Sequence, residues 1–458
     1  MWEMTLTLEN NGIPLYEQLY RHIAEEIRAG RLTQGTRLPS KRALTSHLRV
    51  SMSTVEGAYN LLISEGYILS RPKKGYFAQS VVMLKPPPER PAAPSAPDNA
   101  PAPVFDFSTS AVDKVLFPWR TWSRLFRETL RDTPRLLERG DSRGDAELRD
   151  TLTHFLYQFR GVRCKADNLL VGAGVDYLLY MLFCLFPKGV TVAAEDPGYD
   201  GAYRLKKRQG AHVEPIPVDA HGMDLNALSA SGAQIAYVTP SHQFPLGLTM
   251  PVGRRTELLR WAEEEGHYII EDDYDSEFRH ESRPIASLQG LSGGDRVIYI
   301  GTFSRSLAPS MRIAYMALPD DLMNEWHKVF RQGGDSVSRF DQQTLNRFIV
   351  EGHYSRHLRR SGAAYSRRCQ RLAALFSEIP GALITGDAAG LHFVLTLPSK
   401  TEKQLVSGAR QAGIFLTGVS AYCHKAPAVP SSVVVGFAGL KDDQLKDAVR
   451  TLRAAWDV

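Results

Sequence analysis

Two sets of residues in this chain have types and spacing suited to chemistry. In the first, Ser51, Ser53, Thr54 and Glu56 open a helical pattern that follows a turn at Arg49-Val50-Ser51. Short hydroxyl side chains at a helix N-terminus can reach both phosphates and base edges in a major groove. Lys41, Arg42, Lys73 and Lys74 flank them as phosphate contacts, and from Arg37 to Lys74 seven Lys and Arg stand against only Glu56 and Glu65. Such a surplus suits an anionic partner, although a solvated charged face has the same composition. The second set comprises Gly172-Ala-Gly174, Glu195-Asp-Pro-Gly-Tyr199, Thr239-Pro-Ser-His-Gln-Phe-Pro245, Glu271-Asp-Asp-Tyr-Asp-Ser-Glu-Phe-Arg279, Gly301-Thr-Phe-Ser304, Arg312 and Gly390-Leu-His392. These motifs contain no lysine. Arg305, next to the fifth, is a fixed cation and not an amine nucleophile, because a guanidinium stays protonated and delocalised.

The elements that must position these residues can be read from periodicity. Leu15, Leu19, Ile23 and Ile27 mark one face of a helix ending near Gly30. Ser40 caps a second helix running to about Leu48, and a third buries Val55, Ala58, Tyr59, Leu62 and Ile63 before Gly66 stops it. Two β-prone pieces, Tyr67-Ile-Leu69 and Tyr76-Phe-Ala78, are joined by a basic turn, which makes the module a winged helix-turn-helix. The larger part alternates apolar β runs, such as Val190-Thr-Val-Ala-Ala194, Gln234-Ile-Ala-Tyr-Val238, His267-Tyr-Ile-Ile270 and Arg296-Val-Ile-Tyr-Ile300, with helical stretches, of which 256–265 turns Leu258, Leu259 and Ala262 inward. This pattern implies an α/β fold with a mainly parallel sheet covered on both faces, whose ligands bind beyond the carboxyl ends of the strands. From about Ala382 onward a smaller α+β subdomain is expected.

Composition bounds the rest. With 458 residues, 43% of them hydrophobic, the chain can bury more than one core, and a net charge of +5 does not by itself imply nucleic acid. The longest apolar run, 177–186, is about half of the ~20 residues a membrane helix needs, and the start has neither a basic n-region nor an apolar h-region, so no membrane partner and a cytoplasmic location are expected. Cys164, Cys184, Cys369 and Cys423 lack metal-ligand spacing and read as packing thiols, with no metal site. Pro86, Pro87, Pro88, Pro91, Pro94, Pro97, Pro101 and Pro103 predict an extended spacer. The organisation is therefore a winged helix-turn-helix over 12–80, a Pro-rich linker over 81–104 and a body over 105–458.

The ordered set Pro-Leu-Tyr-Glu-Gln-Leu, Gly-Thr-Arg-Leu-Pro-Ser-Lys-Arg-Ala-Leu, Ser-Met-Ser-Thr-Val-Glu-Gly-Ala-Tyr, Leu-Ile-Ser-Glu-Gly-Tyr and Lys-Lys-Gly-Tyr-Phe resembles the GntR-type winged helix across 12–79. That resemblance implies contact with double-stranded DNA through Ser40, Lys41, Arg42, Ser53, Thr54, Lys74 and Gly75. The body's motifs, in their joint order, resemble a fold-type I pyridoxal-phosphate-dependent aminotransferase, and the pairing with a GntR-type head resembles the MocR subfamily of transcription factors. The resemblance implies that Asp272 faces the pyridine nitrogen of the cofactor, Tyr274 donates to its phenolic oxygen and Tyr199 stacks on its ring. Ala173, Gly174, Thr302, Ser304 and Arg312 match the phosphate-binding places. It also implies a homodimer. Arg356-His-Leu-Arg-Arg360 and Tyr365 belong either to a basic helix typical of the subfamily or to a solvated face.

The chain departs from the aminotransferase pattern in three places. Arg305 occupies the Schiff-base position, Val434 in Ser432-Val-Val-Val-Gly-Phe437 stands where the family has a carboxylate-binding arginine, and Val175 replaces a common threonine. The first two losses remove the covalent anchor and the clamp on an amino-acid carboxylate. The resulting expectation is a MocR-like regulator without catalytic residues, whose body senses a small-molecule effector, with pyridoxal 5'-phosphate held non-covalently if it is bound. Its rivals are an aminotransferase with a fused head, which needs another lysine, and a pyridoxal-phosphate storage protein with a vestigial head.

Overall fold

The computed structural model describes residues 8, 12–80, 104–132, 134–280, 285–330, 336–425 and 430–458. The expected Pro-rich linker therefore lies, except for its last residue, outside the described residues. The chain forms two compact units, Met1–Pro101 and Ala102–Val458.

In the first unit α1 (Leu15–Arg28), α2 (Lys41–Leu48) and α3 (Met52–Ser64) pack beside β1 (Arg37–Leu38), β2 (Ile68–Arg71) and β3 (Gly75–Ala78), which form an antiparallel sheet in the order β1-β3-β2. The hydroxyl of Ser40 caps α2 by accepting from the Ala43 amide at 3.2 Å, and Ser51 caps α3 by accepting from Thr54 at 3.1 Å. Between them Arg49 takes the left-handed conformation, with φ 54°, that ends α2. The core joins Leu19, Ile23, Ile27, Leu44, Val55, Ala58, Tyr59 and Leu62. Leu15 and Ile63, read from periodicity as inward, are exposed instead. Leu15 is the first residue of its helix, and Ile63 lies in the last turn of α3, so each sits at the margin of a small core.

The second unit begins with β4 (Phe105–Asp106) and is built on an eight-stranded sheet of β5 (Leu169–Gly172), β6 (Thr191–Asp196), β7 (His212–Asp219), β8 (Gly222–Met223), β9 (Ile235–Val238), β10 (Tyr268–Asp273), β11 (Val297–Thr302) and β12 (Ala314–Ala317). The order is β5-β12-β11-β10-β9-β6-β7-β8, and only β12 and the short edge strand β8 run against the others. The carboxyl ends of β5, β6, β9, β10 and β11 therefore gather along one edge. Helices cover both faces, including Val252–Glu264, which buries Leu258, Leu259 and Ala262. A smaller antiparallel sheet in the order β13-β14-β17-β16 contains β13 (Leu383–Thr385), β14 (His392–Thr396), β16 (Thr417–Gly418) and β17 (Ser432–Gly436). β15 (Ile414–Phe415) pairs in parallel with β4, which ties the start of the unit to this subdomain.

β10 extends beyond the apolar run that ends at Ile270 and continues through Glu271, Asp272 and Asp273, all buried. Alternation along the strand separates the three carboxylates. Glu271 accepts from the amides of Leu288 and Gln289 at 2.9 and 3.0 Å, Asp273 pairs with Arg160 at 2.7 Å, and Asp272 turns to the other side. Of the cysteines, Cys369 is buried, while Cys164, Cys184 and Cys423 are only partly so. Among the described residues no helix is long and apolar enough to cross a membrane.

Candidate functional site

On the first unit the N-terminal ends of α2 and α3 bring the expected residues together with the wing between β2 and β3. Ser53 and Thr54 hydrogen-bond the Ser51 hydroxyl at 2.8 and 2.7 Å, which makes one hydroxyl cluster at the start of α3. Arg42, Ser53 and Lys74 are exposed. Gly75 has φ 108°, a conformation other residues resist, and a Cβ there would press on the Arg37 guanidinium. Ser40 commits its hydroxyl to capping, and Lys41 pairs with Glu56 at 3.1 Å, so it is not presented alone. Glu56, grouped by its position with the hydroxyls that open α3, therefore faces Lys41.

On the second unit the converging strand ends enclose a cavity of about 410 Å³. Its lining includes Tyr199 after β6, Thr239 and Phe244 after β9, Asp272 on β10, Tyr274 beyond it, Thr302 on β11, then Ser304, Arg305 and Arg312. Ala173 and Gly174 lie just outside it. The Ala173 amide donates to Ser336 at 3.2 Å and the Gly174 amide to Gly172 at 2.7 Å, while Val175 and Asp176 of the following helix do line the space. Gly174 matters through what it lacks, since a Cβ there would collide with the Arg312 guanidinium. Arg312 approaches the Ala173 carbonyl at 3.4 Å, and the Thr302 hydroxyl bonds Ser304 at 3.0 Å.

Asp272 is 5% exposed and accepts from the Tyr237 hydroxyl, yet its Oδ1 has no hydrogen-bond partner among the described residues. Burial, opposed by that Tyr237 contact, pushes its carboxyl up to about 7. A ring N–H would satisfy the orphaned oxygen. Tyr199 stacks on Tyr237 with centroids 6.3 Å apart and has Arg204 over its ring at 5.7 Å; burial raises its hydroxyl to about 12. The Tyr274 hydroxyl donates to the His242 carbonyl at 2.8 Å. Arg305 donates to the Thr109 carbonyl, and the next residue is held by two contacts, Tyr354 to the Ser306 hydroxyl at 2.8 Å and His357 to the Ser306 carbonyl at 2.6 Å. The helix carrying Arg356 to Arg360 is thus no simple solvated face, and Tyr365, buried, receives the Asp113 amide at 3.2 Å. Val434 is buried with Val394 and Val419 in an apolar cluster.

Several lining residues escaped sequence reading. Thr109 and Ser110 reach the cavity because β4 pairs with β15, and Tyr422 arrives from the small subdomain. Behind the cavity His242, Asp275 and His392 bring donor atoms within 4.8 Å of one another, a set not assembled from the sequence. Each is committed internally, His242 to Asp275 at 3.0 Å and His392 to the Pro245 carbonyl at 3.1 Å.

Residues 15–77 match the family of bacterial regulatory proteins of the gntR type, and 109–452 match aminotransferase class I and II. The chain is 31% identical to the "Probable rhizopine catabolism regulatory protein MocR" of Rhizobium meliloti, over 97% of this chain and 94% of that one. It belongs to the MocR subfamily of GntR-type transcriptional regulators. Among other MocR-like relatives, the "Uncharacterized HTH-type transcriptional regulator YdeL" of Bacillus subtilis is 38% identical over 97% of both chains, and the "HTH-type pyridoxine biosynthesis transcriptional regulator PdxR" of Corynebacterium glutamicum is 29% identical over 96% of this chain and 94% of that one. The aminotransferase fold of the MocR body is matched by the Pyrococcus horikoshii kynurenine aminotransferase, at TM-score 0.69 and 23% identity over 78% of this chain and 91% of that one. A MocR-type protein of this architecture is a DNA-binding regulator whose body has the fold of a pyridoxal-phosphate-binding family.

Proposed function

We infer that the body binds pyridoxal 5'-phosphate without a covalent bond and uses its occupancy to control DNA binding by the head, with no transaminase turnover. The observation that carries this reading is the cavity's combination of a buried, unpartnered Asp272 Oδ1 with an arginine, Arg305, where an amine would be needed. Among the described residues lining the cavity there is no lysine. Asp272 would hold the ring nitrogen, Tyr199 the ring face, and Thr302, Ser304 and Arg312 the phosphate; bound there, the cofactor supplies an electron-poor ring and an aldehyde. Tyr274 keeps its hydroxyl on His242 in this structure and is the residue that would have to exchange a partner to reach the ligand's phenolic oxygen. With Val434 inside an apolar cluster, a substrate carboxylate would lack the family's clamp, which favours a sensor over an enzyme.

In the head, Arg42 and Lys74 would contact phosphate, Ser40 and Gly75 would bring backbone close to DNA, and Ser53 and Thr54 would face the major groove. Operation as a homodimer follows from the same family resemblance. The test titrates pyridoxal phosphate into the full chain by fluorescence, treats the complex with borohydride, and repeats a gel-shift on the upstream region of its own gene with and without the ligand. Saturable binding that leaves no reduced pyridoxyl adduct on the protein, is weakened by Arg312→Ala and alters the gel-shift is expected. A stoichiometric adduct on one lysine, or binding indifferent to Arg312→Ala, overturns the reading.

A further inference from the structure

Arg305 and Arg312 differ from Arg204, the third arginine lining the cavity, in what they face. Arg204 is committed to carboxylates, with Asp176 at 2.9 Å and Asp200 at 2.7 Å. Arg305 instead gives one N–H to a main-chain carbonyl, that of Thr109, which leaves its positive charge uncompensated by that bond. The remaining carboxylate in the lining, Asp272, is occupied on one oxygen by Tyr237. The guanidinium carries five N–H donors in a flat fork, so most of them remain for a ligand, and the match of that fork is to a planar pair of oxygens. Its backbone is fixed from behind, since Tyr354 and His357 both hold the neighbouring Ser306. Arg305 lines the cavity together with Asp272, Tyr274 and Tyr422.

We propose that Arg305 makes this pocket selective among B6 phosphates by the atom on the ring's 4' carbon, accepting oxygen, best of all a carboxylate, and rejecting an amine. The inference rests on the reading that the cavity takes a B6 phosphate with its 4' carbon towards position 305. A lysine at this position can trade its proton and bond covalently to an aldehyde, whereas a guanidinium does neither. It forms two hydrogen bonds to a 4'-carboxylate with charge on both partners, one or two to an aldehyde oxygen with charge on the donor alone, and repels the ammonium of a 4'-aminomethyl group. The expected order of affinity is therefore 4-pyridoxic acid 5'-phosphate above pyridoxal 5'-phosphate above pyridoxamine 5'-phosphate. The first and last should differ on the order of tenfold or more, the worth of one or two charge-assisted hydrogen bonds.

The three compounds are titrated by calorimetry into the full chain and into Arg305→Gln and Arg305→Lys variants. In Arg305→Gln the carboxylate compound should weaken while pyridoxamine phosphate tightens, a crossing in opposite directions that loss of structure would not produce. Arg305→Lys keeps the charge and should keep the acid above the amine, so the two variants test the idea even if one folds poorly. Pyridoxamine phosphate binding the parent as tightly as the acid, or the original order surviving in Arg305→Gln, overturns the selectivity while leaving cofactor binding intact. Failure of all three compounds to bind the parent overturns the cofactor reading itself and the selectivity with it.

Discussion

At the scale of single residues, Asp272 sets two quantities against each other. Its carboxyl, pushed by burial to about 7, stands above the ordinary aspartate value of ~3.9. The folded state therefore prefers the neutral form, and the stability this group contributes below about pH 4 is lost as the pH rises towards 7. A neutral amide in its place would have no such loss. The Asp272→Asn variant is thus expected to gain thermal stability relative to the parent at pH 8, with a smaller gain at pH 5, while losing affinity for pyridoxal phosphate because a neutral amide pairs poorly with a protonated ring nitrogen. Melting curves at the two pH values check the first part, and a titration checks the second; equal melting temperatures throughout would mean that the carboxyl titrates normally. Arg305 makes the complementary case. Arg305→Lys puts an amine in a cavity already containing Asp272, Tyr274 and Thr302, so added pyridoxal phosphate should give a visible absorption band that borohydride bleaches. Turnover of amino acids should stay poor, because Val434 remains buried in its apolar cluster. A variant with full aminotransferase activity would show that clamp to be dispensable.

At the scale of elements, the helix-turn-helix depends on two caps and one strained turn. Ser51 accepts from the Thr54 amide and gathers the hydroxyls of Ser53 and Thr54. Ser51→Ala should cost the head about 1 kcal/mol and disperse that cluster. The charges divide differently from their sequence positions. Arg42 and Lys74 are exposed, whereas Lys41 is paired with Glu56. Arg42→Ala and Lys74→Ala should each weaken DNA binding and lower the slope of log affinity against log salt by roughly one ion. Glu56→Gln should raise affinity, since it removes an anion beside the DNA-facing end and releases Lys41. Fluorescence anisotropy at several salt concentrations reads all three; slopes unchanged in both arginine and lysine variants would mean that DNA docks elsewhere.

At the scale of the whole molecule, each unit has its own core. The head's cluster around Leu19, Val55 and Tyr59 shares no residue with the body's clusters around Leu152, Phe348 and Phe437 or around Val192, Ile270 and Ile300. Two separately cored units joined through a Pro-rich segment should unfold in two steps. Pyridoxal phosphate, binding only the folded body, should move the body's calorimetric transition upward by mass action and leave the head's in place. A single transition that shifts as one would mean that the units are energetically coupled in the free protein.

The sequence by itself determined the local features, because their causes are local. Ser40 and Ser51 precede the helices they cap, Gly66 and Arg49 end segments by backbone conformation, and the alternation of apolar runs with helical crossovers implies a parallel sheet. The ordered motifs were enough for the family, and the absence of a lysine at position 305 is a fact of one residue. Tertiary structure alone decided what those residues face. The acidic run of β10 can be buried because Arg160, Tyr237 and the amides of Leu288 and Gln289, none of them adjacent in the chain, supply partners that offset the cost. Thr109 meets Arg305 only because β4 pairs with β15, and Tyr422 joins the lining only because the small subdomain folds back against the sheet's carboxyl edge. Lys41 loses its independence to Glu56 on another helix. Periodicity records the environment of a face, whereas a hydrogen bond across a hundred residues of chain depends on strand order and register, which no local pattern encodes.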